Sequence, residues 1–256
     1  MIGRRLFAVL IAASLVSSLV SSPGWAQNGG PLRIVVPFAA GGAQDVIARY
    51  LAAKLGERLD RSVIVDNKAG GGGVIASDAV AKSAPDGTTL LMATGGAISI
   101  APHLQAKLPY DSRHDFAAVA MVADTPMTLA VRSQSPYRSV ADLLADAKAR
   151  PGQVSFASTG PGTVSHLTGE LLAQAAGVKL LHVPYRGAGP ATTDLLSGEV
   201  ASMVTSVASI DPLVQSGRAR VLATFTTGRV TTLGSPPTIA EATGIKGLEV
   251  PVWVGL

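Results

Sequence analysis

Residues 32–45, Leu-Arg-Ile-Val-Val-Pro-Phe-Ala-Ala-Gly-Gly-Ala-Gln-Asp, constrain this chain most, because a β-branched strand runs directly into a glycine turn that opens a helix. Gly41 and Gly42 have no Cβ, so the backbone can turn through positive φ and approach a guest closely. The helix behind them presents unpaired N–H groups and the positive end of its dipole. Such a junction receives a carboxylate or a phosphate. Read as plain architecture, the same turn only joins strand to helix, with Asp45 complementing the dipole of the first helical turn and Phe38 entering the core.

The pattern that follows is strand alternating with helix, the mark of an α/β protein with mostly parallel sheets. Apolar Val46, Ile47, Tyr50, Leu51, Leu55 and Leu59 recur at helical spacing, opposite Arg49, Lys54, Glu57 and Arg58. Ser62–Val65 reads as a second strand, Gly73–Ser83 as a helix and Thr88–Met92 as a third strand. The stretch 117–132 reads as extended and carries the chain across Pro126 into a second lobe. Ser139 then caps a helix through Ala149, with Asp142 at the capping-box position. Val154–Ala157 repeats the opening scheme: a strand enters Ser158-Thr159-Gly160-Pro161-Gly162-Thr163 before a helix carrying Val164, Leu167, Leu171 and Leu172. Leu180–Val183 is another strand, Pro190 suits the first turn of a helix ending at Gly198, and Pro212–Gly217 repeats that syntax. Arg220–Thr226 is expected to return to the first lobe. Two glycine turns over a hundred residues apart, each opening a helix, are what a cleft between two lobes requires, and they point to a clamshell binder.

Residues 1–26 read as a cleaved secretory signal, with basic Arg4 and Arg5, an apolar Leu6–Val20 stretch diluted by serines, and small residues around Trp25. Without Arg4 and Arg5 the formal charge falls from +4 to +2, and no Lys/Arg block interleaves with aromatics, so no nucleic-acid partner is expected. The chain has no cysteine, which excludes disulfides, a thiolate nucleophile and a lipid-modified cysteine. A freely diffusing periplasmic protein is the expectation.

The hydroxyls of Ser158, Thr159 and Thr163 can supplement backbone donors around a carboxylate; the alternative is N-capping by Ser158 or Thr163. His166 and Glu170 stand at i and i+4, but no third ligand appears at a recognisable spacing, so no metal is expected and His166 is read as a hydrogen-bonding residue beneath the loop. His103, His114 and His182 form no readable constellation. Gly70–Gly73 lacks the Gly-Lys-Ser/Thr ending of a phosphate loop and reads as a turn that could line the cleft. There is neither a Gly-x-Ser-x-Gly elbow nor an informative carboxylate pair, so no catalytic residue and no cofactor are assigned.

Five ordered motifs carry a resemblance: Val36–Arg49, Asp66–Gly73, Ala84–Leu91, Leu108–Asp111 and Val183–Ala191. Together they resemble the Bug family, the TctC-like substrate-binding proteins of tripartite tricarboxylate transporters, from about Leu32 to Leu256. The resemblance implies a two-lobe periplasmic-binding-protein (Venus flytrap) fold, type II-like. It divides the chain into a signal peptide (1–26), lobe one (27–124), lobe two (125–222) and a return segment of lobe one (223–256). It implies a small organic acid as ligand, TctA/TctB-like integral membrane subunits as partners, and a monomer. Carried over residue by residue, the site comprises Phe38, Ala39, Gly41, Gly42 and Asp45 in the first loop, and Ser158, Thr159, Gly162, Thr163 and His166 in the second. Thr94 and Ser206 follow strands in cleft positions. Ile75-Ala76 and Val204-Thr205-Ser206 depart from the usual family residues, and the family normally continues past Leu256 with an Ala-Pro-x-Gly-Thr segment that completes lobe one. Two other readings stand beside this one: a periplasmic hydrolase or isomerase of small organic acids, and a ligand sensor docking on a membrane receptor kinase.

Overall fold

The computed structural model describes residues 30–256, so the expected signal segment lies outside the described residues. Strand β1 (Leu32–Val36) runs between parallel neighbours β2 (Val63–Asn67) and β3 (Thr89–Leu91). Apart from exposed Arg33, its apolar residues are buried on both faces. Ile34 and Val36 pack with Ala48 and Ala52 of helix α1 (Ala43–Leu59), and Val35 packs with Ala76 of helix α2 (Val74–Ala81).

The buried face of α1 differs from the expected stripe. Ala43, Ala48 and Ala52 are buried, with Ile47, Leu51 and Leu55 at the margin, whereas Val46, Tyr50 and Leu59 are exposed. Small residues let the helix axis approach the sheet, and the larger side chains on its flank are left in solvent.

Beyond Pro126 the chain builds a five-stranded sheet in the order β10-β6-β9-β7-β8. Strands β7 (Ser155–Ser158), β8 (Leu181–Pro184) and β9 (Ser202–Ser206) are parallel, while β6 (Met127–Arg132) runs antiparallel to β9 and to β10 (Ala219–Thr224). The segment expected to return to the first lobe therefore completes this second sheet, pairing with β6 and burying Leu222 and Ala223 in one face of the sheet and Ala219 and Val221 in the other. The return comes later: β11 (Trp253–Gly255) pairs with β4 (Ala93–Thr94) and β5 (Met121–Asp124), and Val254 packs with Ile34 and Val36.

Helices cover both faces of the five-stranded sheet. On one side Leu129, Val131, Phe156 and Phe225 meet Leu143 of α4 (Val140–Ala149) and Leu172 of α5 (Val164–Ala175); short α3 (Ala101–Leu104) precedes them in the chain. On the other, Ala130, Ala157 and Met203 meet Leu195 of α6 (Ala188–Ser197) and Ile210 of α7 (Val207–Gln215). The capping box at Ser139 and Asp142 forms as expected, with each side chain bonded to the other's backbone N–H. Pro212 does not open its helix. Helix α7 begins at Val207, after Ser206 at the N-cap position with no side-chain capping bond, and Pro212 lies inside it, removing one helical hydrogen bond. Among the described residues no helix is long and apolar enough to cross a membrane.

Candidate functional site

The first turn is held by a buried carboxylate. Asp45, 4 % exposed, accepts the Gly41 N–H and the Arg49 Nε–H on Oδ2, each at 3.0 Å, and the Asn67 amide on Oδ1 at 3.0 Å. Asn67 also donates to the Phe38 carbonyl at 3.0 Å, so one amide ties both ends of the turn. Burial opposes ionisation of Asp45, but the Arg49 guanidinium, the Gly41 N–H and Asn67 outweigh it and hold the carboxyl below its ordinary value. Both of its oxygens are occupied inside the turn. The side chain is thus a brace for Phe38–Gly42, in line with the capping reading of this residue.

The turn then meets the second sheet. The Ala39 N–H donates to the Arg186 carbonyl at 2.9 Å, and the Ala43 N–H, first in α1, donates to Ser209 Oγ of α7 at 3.1 Å. Ser209 Oγ lies 3.0 Å from Ser206 Oγ. A Cβ on Gly189 would come within 2.6 Å of the Ala40 carbonyl oxygen, and one on Gly42 within 3.6 Å of Ala188 Cβ. Residues 39–43 and 187–189 therefore form a seam of small residues, joined at one end through the Arg186 carbonyl. Sequence reasoning singled out neither Ser209 nor Arg186–Gly189 as site residues. The only signal for the latter was its place in a family motif.

The second turn is bonded largely to itself. Ser158 is fully buried, and its Oγ lies 2.7 Å from His182 Nε2 and accepts the Gly160 N–H at 3.1 Å. The Thr159 N–H donates to Ser165 Oγ at 3.0 Å, and Thr159 Oγ1 lies 2.9 Å from the same atom. Thr163 Oγ1 donates to the Gly160 carbonyl at 2.7 Å and accepts from His166 N–H, capping α5. The Gly162 N–H donates to His166 Nδ1 at 3.2 Å, which bears out His166 as a hydrogen-bonding residue beneath the loop. The expected free donors on Ser158, Thr159, Gly162 and Thr163 are thus engaged by the turn and by the histidines beneath it, where two glycines at positive φ, Gly160 and Gly162, let the chain fold back.

This second turn faces the glycine run of the first half. The Pro161 carbonyl oxygen would lie 2.5 Å from a Cβ on Gly72 (φ +65°), and Gly96 packs on the Thr163 backbone. Thr94, just before Gly95 and Gly96, is buried, and its Oγ1 has no hydrogen-bond partner. An orphaned buried hydroxyl next to this junction fits a site that a guest or water completes. Beneath the turn, His182 stacks on His166 with ring centroids 4.0 Å apart and on Phe156 at 5.0 Å. Burial, with His166 adjacent, pushes the His182 imidazole down to about 4. Two surface cavities, of about 800 and 410 Å³, lie elsewhere, and none of the candidate residues lines either.

Residues 47–256 match the family described as the tripartite tricarboxylate transporter family receptor, TctC. The chain belongs to the TctC family. Among its relatives is Protein BugT of Bordetella pertussis, 39 % identical over 93 % of this chain and 73 % of that protein. An R. palustris protein solved with adipate is 36 % identical, with a TM-score of 0.84 over 88 % of this chain and 75 % of the other. MatC of Rhodopseudomonas palustris, solved with bound malate, is 31 % identical, with a TM-score of 0.82 over 88 % and 76 %. These TctC-like neighbours share the α/β periplasmic-binding-protein architecture.

Proposed function

We propose that this chain is an extracytoplasmic solute receptor that takes a small organic carboxylate between two α/β lobes and delivers it to integral membrane subunits of a TctA/TctB-like system. One lobe comprises residues 27–124 with the return segment, and the other is the five-stranded sheet with its helices. The signal segment directs the chain to the periplasm.

The observation that carries this reading is the Ala43 N–H, the leading amide of α1, directed across the seam onto Ser209 Oγ. A helix N-terminus with a neutral acceptor from the opposite sheet is suited to exchange that acceptor for a carboxylate. To the guest we assign the rims of the two turns, at Ala39, Gly41, Gly42, Thr159 and His166, together with Thr94 and with Ser206, whose Oγ lies 3.0 Å from Ser209 Oγ. Asp45, Ser158 and Thr163 serve by keeping the turns in shape. Phe38 walls the first turn from below. Adipate and malate in the two neighbours support a dicarboxylate guest.

A thermal-shift series with malate, adipate, citrate and glutamate tests the proposal. Ligand at 100 times its Kd stabilises by ~2.7 kcal/mol, which for a protein of this size is roughly 5–10 °C. Stabilisation by at least one acid, with the acid recovered unchanged, is the expected result. No shift with any carboxylate, or turnover of one, refutes the receptor reading.

A further inference from the structure

A Ser–His pair at 2.7 Å invites a catalytic interpretation, but Ser158 has no exposed surface and its Oγ already accepts the Gly160 N–H. A nucleophile needs an approach path, and this hydroxyl has none. The pair does something else.

We propose that His182 is a positioning residue for the second turn: it anchors Ser158 Oγ, through which the Gly160 backbone is held, and so sets the geometry that the turn presents at the junction. The inference deepens the receptor reading, since it is there that the turn acts as a binding element. Ser158 Oγ links the His182 ring to the Gly160 N–H, and also lies 3.3 Å from the Gly160 carbonyl; either neutral tautomer of His182 keeps the link, with the hydroxyl donating to Nε2 or accepting from it. The ring is held by stacking against Phe156 at 5.0 Å and against His166 at 4.0 Å. His166 in turn accepts the Gly162 N–H. Two stacked imidazoles therefore fix two backbone points, Gly160 and Gly162, on either side of Pro161. Both glycines have positive φ, +135° and +70°, so this part of the turn has little conformational preference of its own. The Pro161 carbonyl between them is the group that abuts Gly72 of the first half. What the histidines hold is the contact point itself.

The experiment measures amide exchange by NMR at Gly160, Gly162 and Ala43 in the wild-type chain and in His182→Ala, His182→Gln, Ser158→Ala and the His182→Ala/Ser158→Ala double variant. Calorimetric titrations with malate and with adipate run alongside. His182→Ala and Ser158→Ala should each speed Gly160 exchange about tenfold, the equivalent of one hydrogen bond, with Ala43 unchanged. The double variant should add nothing to either single one. Gln, whose amide can bond the Ser158 hydroxyl, should restore slow exchange. If His182→Ala does not fold, the Ser158→Ala and His182→Gln pair carries the same comparison. Unchanged Gly160 exchange in Ser158→Ala and His182→Ala, or equal loss in Ala and Gln variants, overturns the assignment. Should the wild type bind neither acid, the dicarboxylate reading fails while Gly160 exchange still decides the role of His182; should it bind, affinity must fall in His182→Ala and recover in His182→Gln.

Discussion

Replacing Gly72 by alanine separates backbone strain from a contact between the two halves of the protein. Gly72 has φ +65°, where a Cβ costs about 1–2 kcal/mol. That Cβ would also stand 2.5 Å from the Pro161 carbonyl oxygen, ~0.9 Å inside an ordinary contact beginning at 3.4 Å. The obstacle is backbone in a turn pinned by Ser158 and His166, so it cannot yield by rotating a side chain. Overpacking of this kind adds ~1–3 kcal/mol. Gly87 supplies the control: its φ is +75° and nothing lies within 4 Å of the added Cβ. Gly87→Ala should therefore show the strain alone. Denaturant unfolding of the two variants beside the wild type is expected to show Gly72→Ala less stable than Gly87→Ala by ~1–3 kcal/mol. Calorimetry with an acid that stabilises the wild type should show weaker binding only in the Gly72 variant. Equal stability losses at the two glycines would refute the claim that Gly72 and Pro161 are in tight opposition.

Two further outcomes follow from the braces. Asp45→Asn removes the charge that Arg49, Gly41 and Asn67 share, and should lower stability by about 2 kcal/mol at pH 7. Because the native carboxyl is held below its ordinary value, that contribution is present above about pH 4 and lost as pH falls below it. The gap between wild type and variant in urea melts should then narrow as pH falls below about 4, and a gap independent of pH would contradict the network. His182 is depressed to about 4 in the folded chain, against 6.5 for a free imidazole, so between those values the unfolded chain binds the extra proton. Its contribution to stability is complete above pH 6.5 and declines as pH falls toward 4. The other ionisable groups at the stack are His166, against the ring, and Glu170, 3.9 Å from His166 Nε2. His182→Gln should flatten the pH 4–6.5 limb of a melting profile, and an unaltered limb would assign that limb to other groups.

How much of this was legible beforehand depends on whether a feature is local. The β1 strand, its glycine turn and the Ser139 capping box are written in neighbouring residues, and each forms as read. Helix α1 was legible as a helix but not in its orientation. Apolar residues surround most of it, so the choice of the alanine face over Val46 and Tyr50 is made by how closely β1 and β2 approach. Pro212 misled because a proline signals a helix start only when the helix has not already begun, and this one starts at Val207. The destination of β10 is a pairing preference, settled by β6 across eighty-odd residues of chain. In the candidate site, the glycines and hydroxyls were visible as a composition, but their partners were not. Ser209 opposite Ala43, Pro161 against Gly72 and His182 beneath Ser158 are products of tertiary assembly, and the same hydroxyls that read as donors for a guest turn inward to shape the loop.

The seam between residues 39–43 and 187–189 restricts how a chain of this kind could diversify. With Gly189 so close to the Ala40 carbonyl that one methyl group would collide with it, that position cannot acquire a side chain without parting the halves. On the receptor reading, a change in preference from one acid to another must therefore accumulate away from this contact. Libraries aimed at new cargo should leave Gly189 and Ala40 untouched and randomise positions outside the seam.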